Sequence, residues 1–596
     1  SAISVGSMII NSGGTYSATS GTTTVTSENA SHAFRCSGGG TYTNNDGTLE
    51  IQTAAQTRLK MNGTGNVHNL TVNHASCQLH MESDSSTTVE GNLTITLGEV
   101  RTYTEGNSQR TLTVTGHTEI GPASGSADQA TLTCSDSPIS LGSGITNQYG
   151  MIVNQGGTFV GGSGAHTIGS IKIVNSTNAK CALTSGVTTL NGEHVSDNYI
   201  FTIEGANGDD NFNHSSGTVT ITRASDTRIR NAGAALALNN LIINHASAVI
   251  TLASNGLTCA GNLTVTAGEF GTGADKALTV TGATDVTGTL TLNDSTVSLG
   301  ALRANSGAAI TQGSSGTLEL TSATAGNAAG FGDNYSFRNL DGTSDINFGG
   351  TITISAANYF EPRTAPDYAS VINNVVWNDN HYWVGKMTFG GTLVVNASKH
   401  MQTYNGSKDC IVTGDVTING QLTALGNNVS AMTFGSLEIN NGGTYTATSG
   451  TTTLTKNTGA GSSGRALYCH NTGVFTHNKG LLKVTASSAD LEFTSQSETN
   501  NPLYDFEATQ FAIASANEWT VLNNMTIANG FQFNGGAGRA KVYGIMKQTG
   551  GTYNSSDVSS STDHFFNHYR LEGGTLDLSN IDITVGSIRN TGGTIT

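Results

Sequence analysis

Short runs in which apolar and polar residues alternate recur along the whole chain. In TLTVTG, residues 111–116, Leu112 and Val114 share one face of an extended strand and the threonines share the other. The run NLTITLG, residues 92–98, has the same pattern. The alternation predicts β-strands that bury Leu, Val and Ile and expose Thr and Asn, with glycines at the corners between them.

In the first 150 residues these runs follow one another at a nearly regular interval of about 21 residues. Such an interval is typical of one turn of a parallel β-helix, or β-solenoid, so the chain is predicted to be all-β with about 28 turns. Equivalent Asn and Thr side chains on successive turns are then expected to form hydrogen-bonded ladders. The alternative is a row of tandem β-sandwich domains, which would need more aromatic core residues and would leave the interval unexplained.

One segment of the chain occurs twice with few changes. GSMIINSGGTYSATSGTTT, residues 6–24, matches GSLEINNGGTYTATSGTTT, residues 435–453, and weaker copies lie between and after them. These junctions divide the chain into four homologous modules, the third with an aromatic insertion and the last including the start of a fifth junction: 1–149, 150–299, 300–434 and 435–596. We expect open ends of such a helix to be covered by further residues or by neighbouring subunits.

The modules also match internally, which supports one shared plan. GNLTITLGEV, residues 91–100, pairs with GNLTVTAGEF, residues 261–270, and a further alignment carries Cys36 onto Cys469. The seven cysteines form no C-x-x-C pair, and those that fall within strand-like runs are interpreted as small buried apolar residues rather than a disulfide framework.

The charge and hydrophobicity of the chain limit the classes of partner that we expect. Only 11% of the residues are charged and the net charge is −16, with no block of Lys or Arg, so we expect no nucleic-acid partner. No run approaches the roughly 18 apolar residues of a membrane span, and we expect no membrane insertion.

Candidate catalytic and metal-binding groups are sparse. Glu99 and Glu269 occupy matching positions after strand-like runs and are interpreted as turn residues. The loop NGDDNFN, residues 207–213, offers oxygen ligands at alternate positions, but a solvated Asx-rich turn is the preferred interpretation. We therefore expect no catalytic residue, no metal site and no cofactor.

The segment 359–383 is the aromatic insertion and contains two of the three tryptophans. Alignment with the first module places Trp377 at an inward position, so we expect it in the core. Tyr382 and Trp383 remain as candidates for an exposed patch that binds a glycan by ring stacking. Alternatively, this segment is an insertion that packs against the rest of the chain, or it forms a contact between chains.

Gly/Thr/Asn-rich arrays with junctions such as residues 6–24 and 435–453 resemble the modular β-helical fibre and surface proteins of tailed bacteriophages, and more loosely bacterial β-helical adhesins. The resemblance implies a non-enzymatic structural rod of a virion or extracellular appendage: a fibre, spike or decoration protein. Such a protein would lie on the virion surface or outside the cell, in a homo-oligomer or beside other structural subunits. The alternatives are a receptor- or glycan-binding adhesin, with a cell-surface glycan as partner, and a glycan-cleaving tailspike.

Overall fold

The computed structural model describes residues 1–82, 86–103, 110–122, 129–194, 196–209, 211–322, 324–325, 330, 334–340, 343–356, 359–363, 370–404, 409–424, 430–456, 465–516, 518–533, 539–555 and 563–596. Regular structure in these residues consists mainly of β-strands, together with short helical segments at Ala206–Asp209 and 324–325.

The strands before residue 296 are Ile3–Val5, Met8–Ile10, Thr15–Ser17, Thr22–Val25, His32–Cys36, Thr41–Thr43, Thr48–Ile51, Gln56–Met61, Asn69–Met81, Ser86–Val89, Leu93–Arg101, Thr111–Val114, Thr118–Ile120, Ala130–Thr133, Ile139–Leu141, Met151–Val153, Gly157–Val160, His166–Ile168, Ile171–Ile173, Lys180–Ala182, Val187–Leu190, Tyr199–Ile203, Phe212–Asn213, Thr218–Ile221, Thr227–Asn231, Leu236–Leu238, Asn240–Ser254, Leu257–Cys259, Leu263–Gly271, Leu278–Val286 and Thr289–Thr291.

From residue 296 onward the strands are Thr296–Ala304, Ala309–Gln312, Thr317–Leu320, Tyr335–Asn339, Asp345–Ile354, Tyr359–Glu361, Val371–Trp377, Asn380–Trp383, Met387–Phe389, Leu393–Val395, His400–Thr403, Cys410–Ile418, Gln421–Thr423, Met432–Ile439, Thr444–Thr446, Thr451–Leu454, Leu467–Cys469, Val474–Thr476, Leu481–Val484, Ala489–Phe493, Asp505–Ala508, Ala512–Ala516, Glu518–Val521, Met525–Ile527, Phe531–Phe533, Arg539–Gln548, Thr552–Ser555, Asp563–Leu571, Thr575–Leu576, Asp582–Asn590 and Thr594–Ile595.

The strands stack in parallel, each on the equivalent strand of the next turn, which confirms the predicted β-solenoid. Between residues 111 and 160 each turn supplies three strands: Leu112 pairs with Ile139, Ile120 with Val153 and Leu132 with Phe159. Equivalent strands are about 23 residues apart and the chain makes about 23 turns, so the predicted interval of about 21 residues and count of about 28 turns were wrong. Long corners, such as the one holding the helical turn Ala206–Asp209, add residues without adding turns.

The chain divides into two compact units, Ser1–Val297 and Ser298–Thr596. The core of the first unit contains an unbroken column of fully or nearly fully buried aliphatic side chains, one from each turn: Val89, Val114, Leu141, Ile168, Leu190, Ile221, Ile243, Val265 and Val286. Each buried aliphatic side chain contributes roughly 1.5–3 kcal/mol relative to exposure. The residues of this column occupy inward-facing positions of the alternating apolar and polar pattern.

The second unit has a corresponding column in which larger and smaller side chains follow one another: Ile354, Trp377, Val395, Ile418, Ile439, Cys469 and Phe493. The inward position expected for Trp377 is confirmed. All seven cysteines are buried and free, as predicted for small apolar core residues. Burial raises the pKa of the Cys259 thiol to about 12, so the thiol stays protonated and unreactive.

Asparagine side chains on successive turns form the ladders expected from the sequence. The Asn396 amide donates to Asn378 Oδ1 at 3.1 Å, and the Asn440 amide donates to Asn419 Oδ1 at 2.7 Å. All four residues directly follow members of the second core column, so the ladder runs along one corner of the helix.

Glu99 and Glu269 lie within strands, not in turns as the sequence had suggested. Each accepts a hydrogen bond from a threonine one turn further on: Thr133 Oγ1 to Glu99 at 2.9 Å and Thr291 Oγ1 to Glu269 at 2.7 Å. The residue before each glutamate, Gly98 or Gly268, has positive φ. The positive φ of these glycines lets the strand bend at the corner and continue beyond it.

Candidate functional site

Four neighbouring strands of the second unit build one outward surface: Tyr359–Glu361, Asn380–Trp383, His400–Thr403 and Gln421–Thr423. Their register places Tyr359 opposite Tyr382, Tyr382 opposite Gln402, and Gln402 opposite Thr423. Alternation along each strand turns these residues outward and their neighbours inward.

Trp383 is one of those inward neighbours, so its predicted place in an exposed patch was wrong. The side chain is 0% exposed, and Trp383 lies opposite the equally buried Phe360 on the preceding turn. A ring enclosed on all sides has no face left for a ligand. The physical reason is simple: Tyr382 and Trp383 are adjacent in one strand, so they point to opposite sides of the sheet.

Tyr382 instead belongs to a group of four outward tyrosines from successive turns, which we call the tyrosine cluster: Tyr335, Tyr359, Tyr382 and Tyr404. The Tyr359 ring centroid lies 5.3 Å from that of Tyr335. It stacks on Tyr382 at 6.1 Å, with an angle of 28° between the ring planes. Tyr404 meets both Tyr359 and Tyr382 edge to face, at 4.7 and 5.5 Å. These are favourable aromatic geometries.

Sequence reasoning missed Tyr335 and Tyr404 as members of this cluster. The available signal was the recurrence of tyrosine at intervals close to one turn of the helix. Tyr404 is 37% exposed, while the other three tyrosines are partly covered. The cluster therefore offers aromatic surface to solvent while its rings are held in place by one another.

Ion pairs close one end of the tyrosine cluster. The Arg338 guanidinium lies over the Tyr335 ring, 4.6 Å from its centroid. Glu361 pairs with both Arg338, at 3.4 Å, and Arg363, at 3.0 Å. This carboxylate, about 10% exposed, is thus committed to two guanidinium groups, and the arrangement fixes the edge of the aromatic surface.

A polar groove of about 540 Å³ adjoins the cluster on the same set of strands. Its floor includes a row of three outward side chains on successive turns: Asn380, His400 and Gln421. Asn380 precedes Tyr382 by two residues, so the groove and the cluster belong to one continuous face. Further lining residues come from the adjoining corners: Ala397, Ser398, Lys399, Asn419, Gly420, Asn441 and Gly442.

The groove is neutral apart from one cation. Burial lowers the pKa of His400 below its usual value, so the imidazole is uncharged at pH 7, and it shares a hydrogen bond of 2.9 Å with Thr423 Oγ1. Among the described lining residues, Lys399 is the one side chain with a full charge, and none is a carboxylate. The groove thus presents amides, an imidazole and an ammonium group.

A serine, a histidine and an aspartate meet on the first unit, but not as a catalytic relay. Ser196 Oγ approaches His194 Nδ1 at 3.0 Å, and Asp197 Oδ2 approaches the same nitrogen at 3.1 Å. A proton relay needs the nucleophile and the carboxylate on opposite ring nitrogens. Here both oxygens lie closer to Nδ1, with Ser196 Oγ at a longer 3.5 Å from Nε2. The ring stacks on Tyr149 at 4.7 Å between centroids.

The loop at 207–213 is described only in part. Residues up to Asp209 belong to the helical turn, and residue 210 lies outside the described residues. Across the described ranges, no group of three or more His, Cys, Asp or Glu residues is placed to hold a metal ion. Within the same ranges, no helix has the length and apolar character needed to cross a membrane.

Comparisons with known proteins assign no family to the chain: no protein-family model, no curated protein and no solved structure matches it. Function is therefore inferred from the structure of the chain and from the resemblance of its repeated junctions.

Proposed function

We propose that this protein is a non-enzymatic structural β-solenoid that serves as a building element of a virion or an extracellular appendage: a fibre, spike or decoration protein. The observation that carries the proposal is the pair of columns of buried side chains described above. In each column, one residue from each turn packs against the residue at the equivalent position of the next turn.

A stack of this kind is suited to a structural role because each added turn is stabilised by its neighbours. Turns are also joined at the surface by hydrogen bonds between uncharged amides, such as Asn440 to Asn419 and Asn396 to Asn378. Such contacts depend little on salt, unlike surface ion pairs. Contacts of this kind are expected to hold the turns together over a range of salt concentrations.

The proposed location and assembly state rest on the resemblance of the repeated junctions to phage fibre and surface proteins. A homo-oligomer or a lattice of structural subunits would cover apolar groups that the chain leaves accessible. Val187 is 43% exposed and Val474 is 42% exposed, each at the start of a strand. Burial of such side chains against a neighbour stabilises association.

Immunogold electron microscopy with antibodies raised against the 596-residue chain tests the proposal in the organism that encodes it. Labelling of virions or of extracellular appendages is the expected result, and label confined to the cytoplasm would overturn the location. A parallel assay for reducing ends, with surface polysaccharides of the same source as substrates, tests the non-enzymatic part. Release of reducing ends above the level of a heat-denatured sample would overturn it.

A further inference from the structure

The tyrosine cluster and the polar groove combine the two chemistries that recognise a sugar. Pyranose rings have apolar C–H faces that pack on aromatic rings, and hydroxyl groups that exchange hydrogen bonds with amides and imidazoles. Tyr359, Tyr382 and Tyr404 supply the aromatic surface. Asn380 and Gln421 supply exposed amides on either side of His400.

The single charge in the groove indicates which sugar fits. No described acidic side chain forms an ion pair with Lys399, and the described lining contains no carboxylate. A ligand carboxylate placed there gains an ammonium partner and meets no carboxylate in that lining. Although the chain carries a net charge of −16, charges beyond a Debye length of about 8 Å are largely screened at physiological salt.

We propose that this face binds a glycan containing a carboxylate-bearing sugar, with the acid at Lys399, hydroxyl groups at Asn380, His400 and Gln421, and a sugar face on Tyr382 and Tyr404. Two successive turns span about 10 Å at ~4.8 Å each, which suits a short oligosaccharide segment lying across the strands. The site goes beyond the structural role and does not depend on it, because a scaffold needs no ligand.

Binding of the full chain to an array of defined oligosaccharides tests the site. The neutral members are cello-, malto- and chito-oligosaccharides, and the acidic members are oligogalacturonate, oligoalginate, hyaluronan fragments and sialyllactose. We expect at least one acidic member to bind, with an affinity that falls as salt is raised. No binding of any acidic member at millimolar concentration, or binding of neutral members alone, overturns the proposal.

Variants locate the binding on this face. Tyr382→Ala should weaken the affinity for the bound acidic oligosaccharide about tenfold or more, whereas Tyr382→Phe, which keeps the ring, should retain it within about threefold. Lys399→Gln should weaken binding about three- to tenfold and remove most of its salt dependence. Both effects are measured by isothermal titration, with circular dichroism to confirm the fold.

Tyr504→Ala is the matched control, because Tyr504 is a partly exposed tyrosine of the same unit that stacks on His477 at 5.6 Å, outside the groove. This variant should bind like the parent chain. Equal affinities for the parent, Tyr382→Ala and Lys399→Gln would overturn the assignment of the site. An equal loss in Tyr504→Ala would do the same.

Discussion

Asn69 Oδ1 accepts a hydrogen bond of 2.9 Å from the backbone N–H of Asn92, one turn further along the helix. The side chain of Asn92 repeats the contact with the N–H of His117 at 3.1 Å. In the matching part of the second predicted module, Asn240 bonds to the N–H of Asn262 at 2.8 Å. An asparagine at this corner thus satisfies the backbone of the following turn.

This contact explains why glycine precedes the residue that donates its N–H. A Cβ atom built on Gly91 would overlap Asn69 Oδ1, and one built on Gly261 would overlap Asn240 Oδ1. The repeated GN pairs at 91–92 and 261–262 therefore encode a packing rule between turns. Because the glycine has no Cβ, it leaves room for the asparagine side chain of the preceding turn. The asparagine that follows the glycine then makes the same contact with the next turn.

Two adjacent glycines allow a direct test of this rule. Gly391→Ala places a methyl group on Asn374 Oδ1, which accepts the N–H of Thr392 at 3.0 Å. We expect the free energy of unfolding to fall by about 1–3 kcal/mol through the lost hydrogen bond and the overlap. Thermal unfolding of the purified variant measures the effect.

Gly390→Ala is the control, since the nearest atom to its added methyl group is 3.7 Å away. This variant should unfold within about 0.5 kcal/mol of the parent chain. If the two alanine variants were equally stable, the packing rule would not hold.

Two adjacent isoleucines test the buried column of the first unit. Ile243 is 0% exposed and Ile242 is only partly covered. Ile243→Ala should cost about 2–5 kcal/mol because it opens a cavity between turns, and Ile242→Ala should cost about 1 kcal/mol or less. Hydrogen exchange of the flanking strands Thr218–Ile221 and Leu263–Gly271 reports the change locally. Similar exchange rates in both variants would contradict the inward assignment.

The alternation of apolar and polar residues was sufficient to predict the strands, their inward faces and the solenoid. The same alternation predicts that Trp383 is buried, because a residue next to an outward Tyr382 in a strand must point inward. The number of turns could not be predicted, because corners of unequal length carry no periodic pattern. Contacts between turns, such as those of Tyr335 and Tyr404 with Tyr359, depend on register, which is fixed only when the turns are stacked.

Trp383→Ala separates folding from binding at the candidate site. Because the indole is fully buried, its removal should lower the free energy of unfolding by about 3–5 kcal/mol. Tyr382→Ala removes an outward ring and should cost about 1 kcal/mol or less. Comparing the thermal unfolding midpoints of the two variants checks this. A larger loss for Tyr382→Ala would mean that the tyrosine cluster is structural rather than a ligand surface.

His564 should make the stability of the second unit depend on pH. The side chain is fully buried beside Tyr553, whose hydroxyl shares a hydrogen bond of 2.8 Å with His564 Nδ1. Burial lowers the pKa of His564 to about 4, against about 6.5 in an unfolded chain. Between these values the unfolded chain binds the proton and the folded chain does not, so stability falls as the pH drops from about 6.5 to 4.

The loss at pH 4 should be on the order of 3 kcal/mol, since one pKa unit corresponds to about 1.4 kcal/mol. His564→Gln should flatten this part of the stability profile, measured by chemical denaturation at several pH values. His568→Gln is the control, because His568 is exposed and bonds only to Ser587 among the described residues. If the stability profile of His564→Gln keeps the full slope of the parent, the acid sensitivity arises at another residue. His166 is one example, because burial also lowers its pKa to about 4.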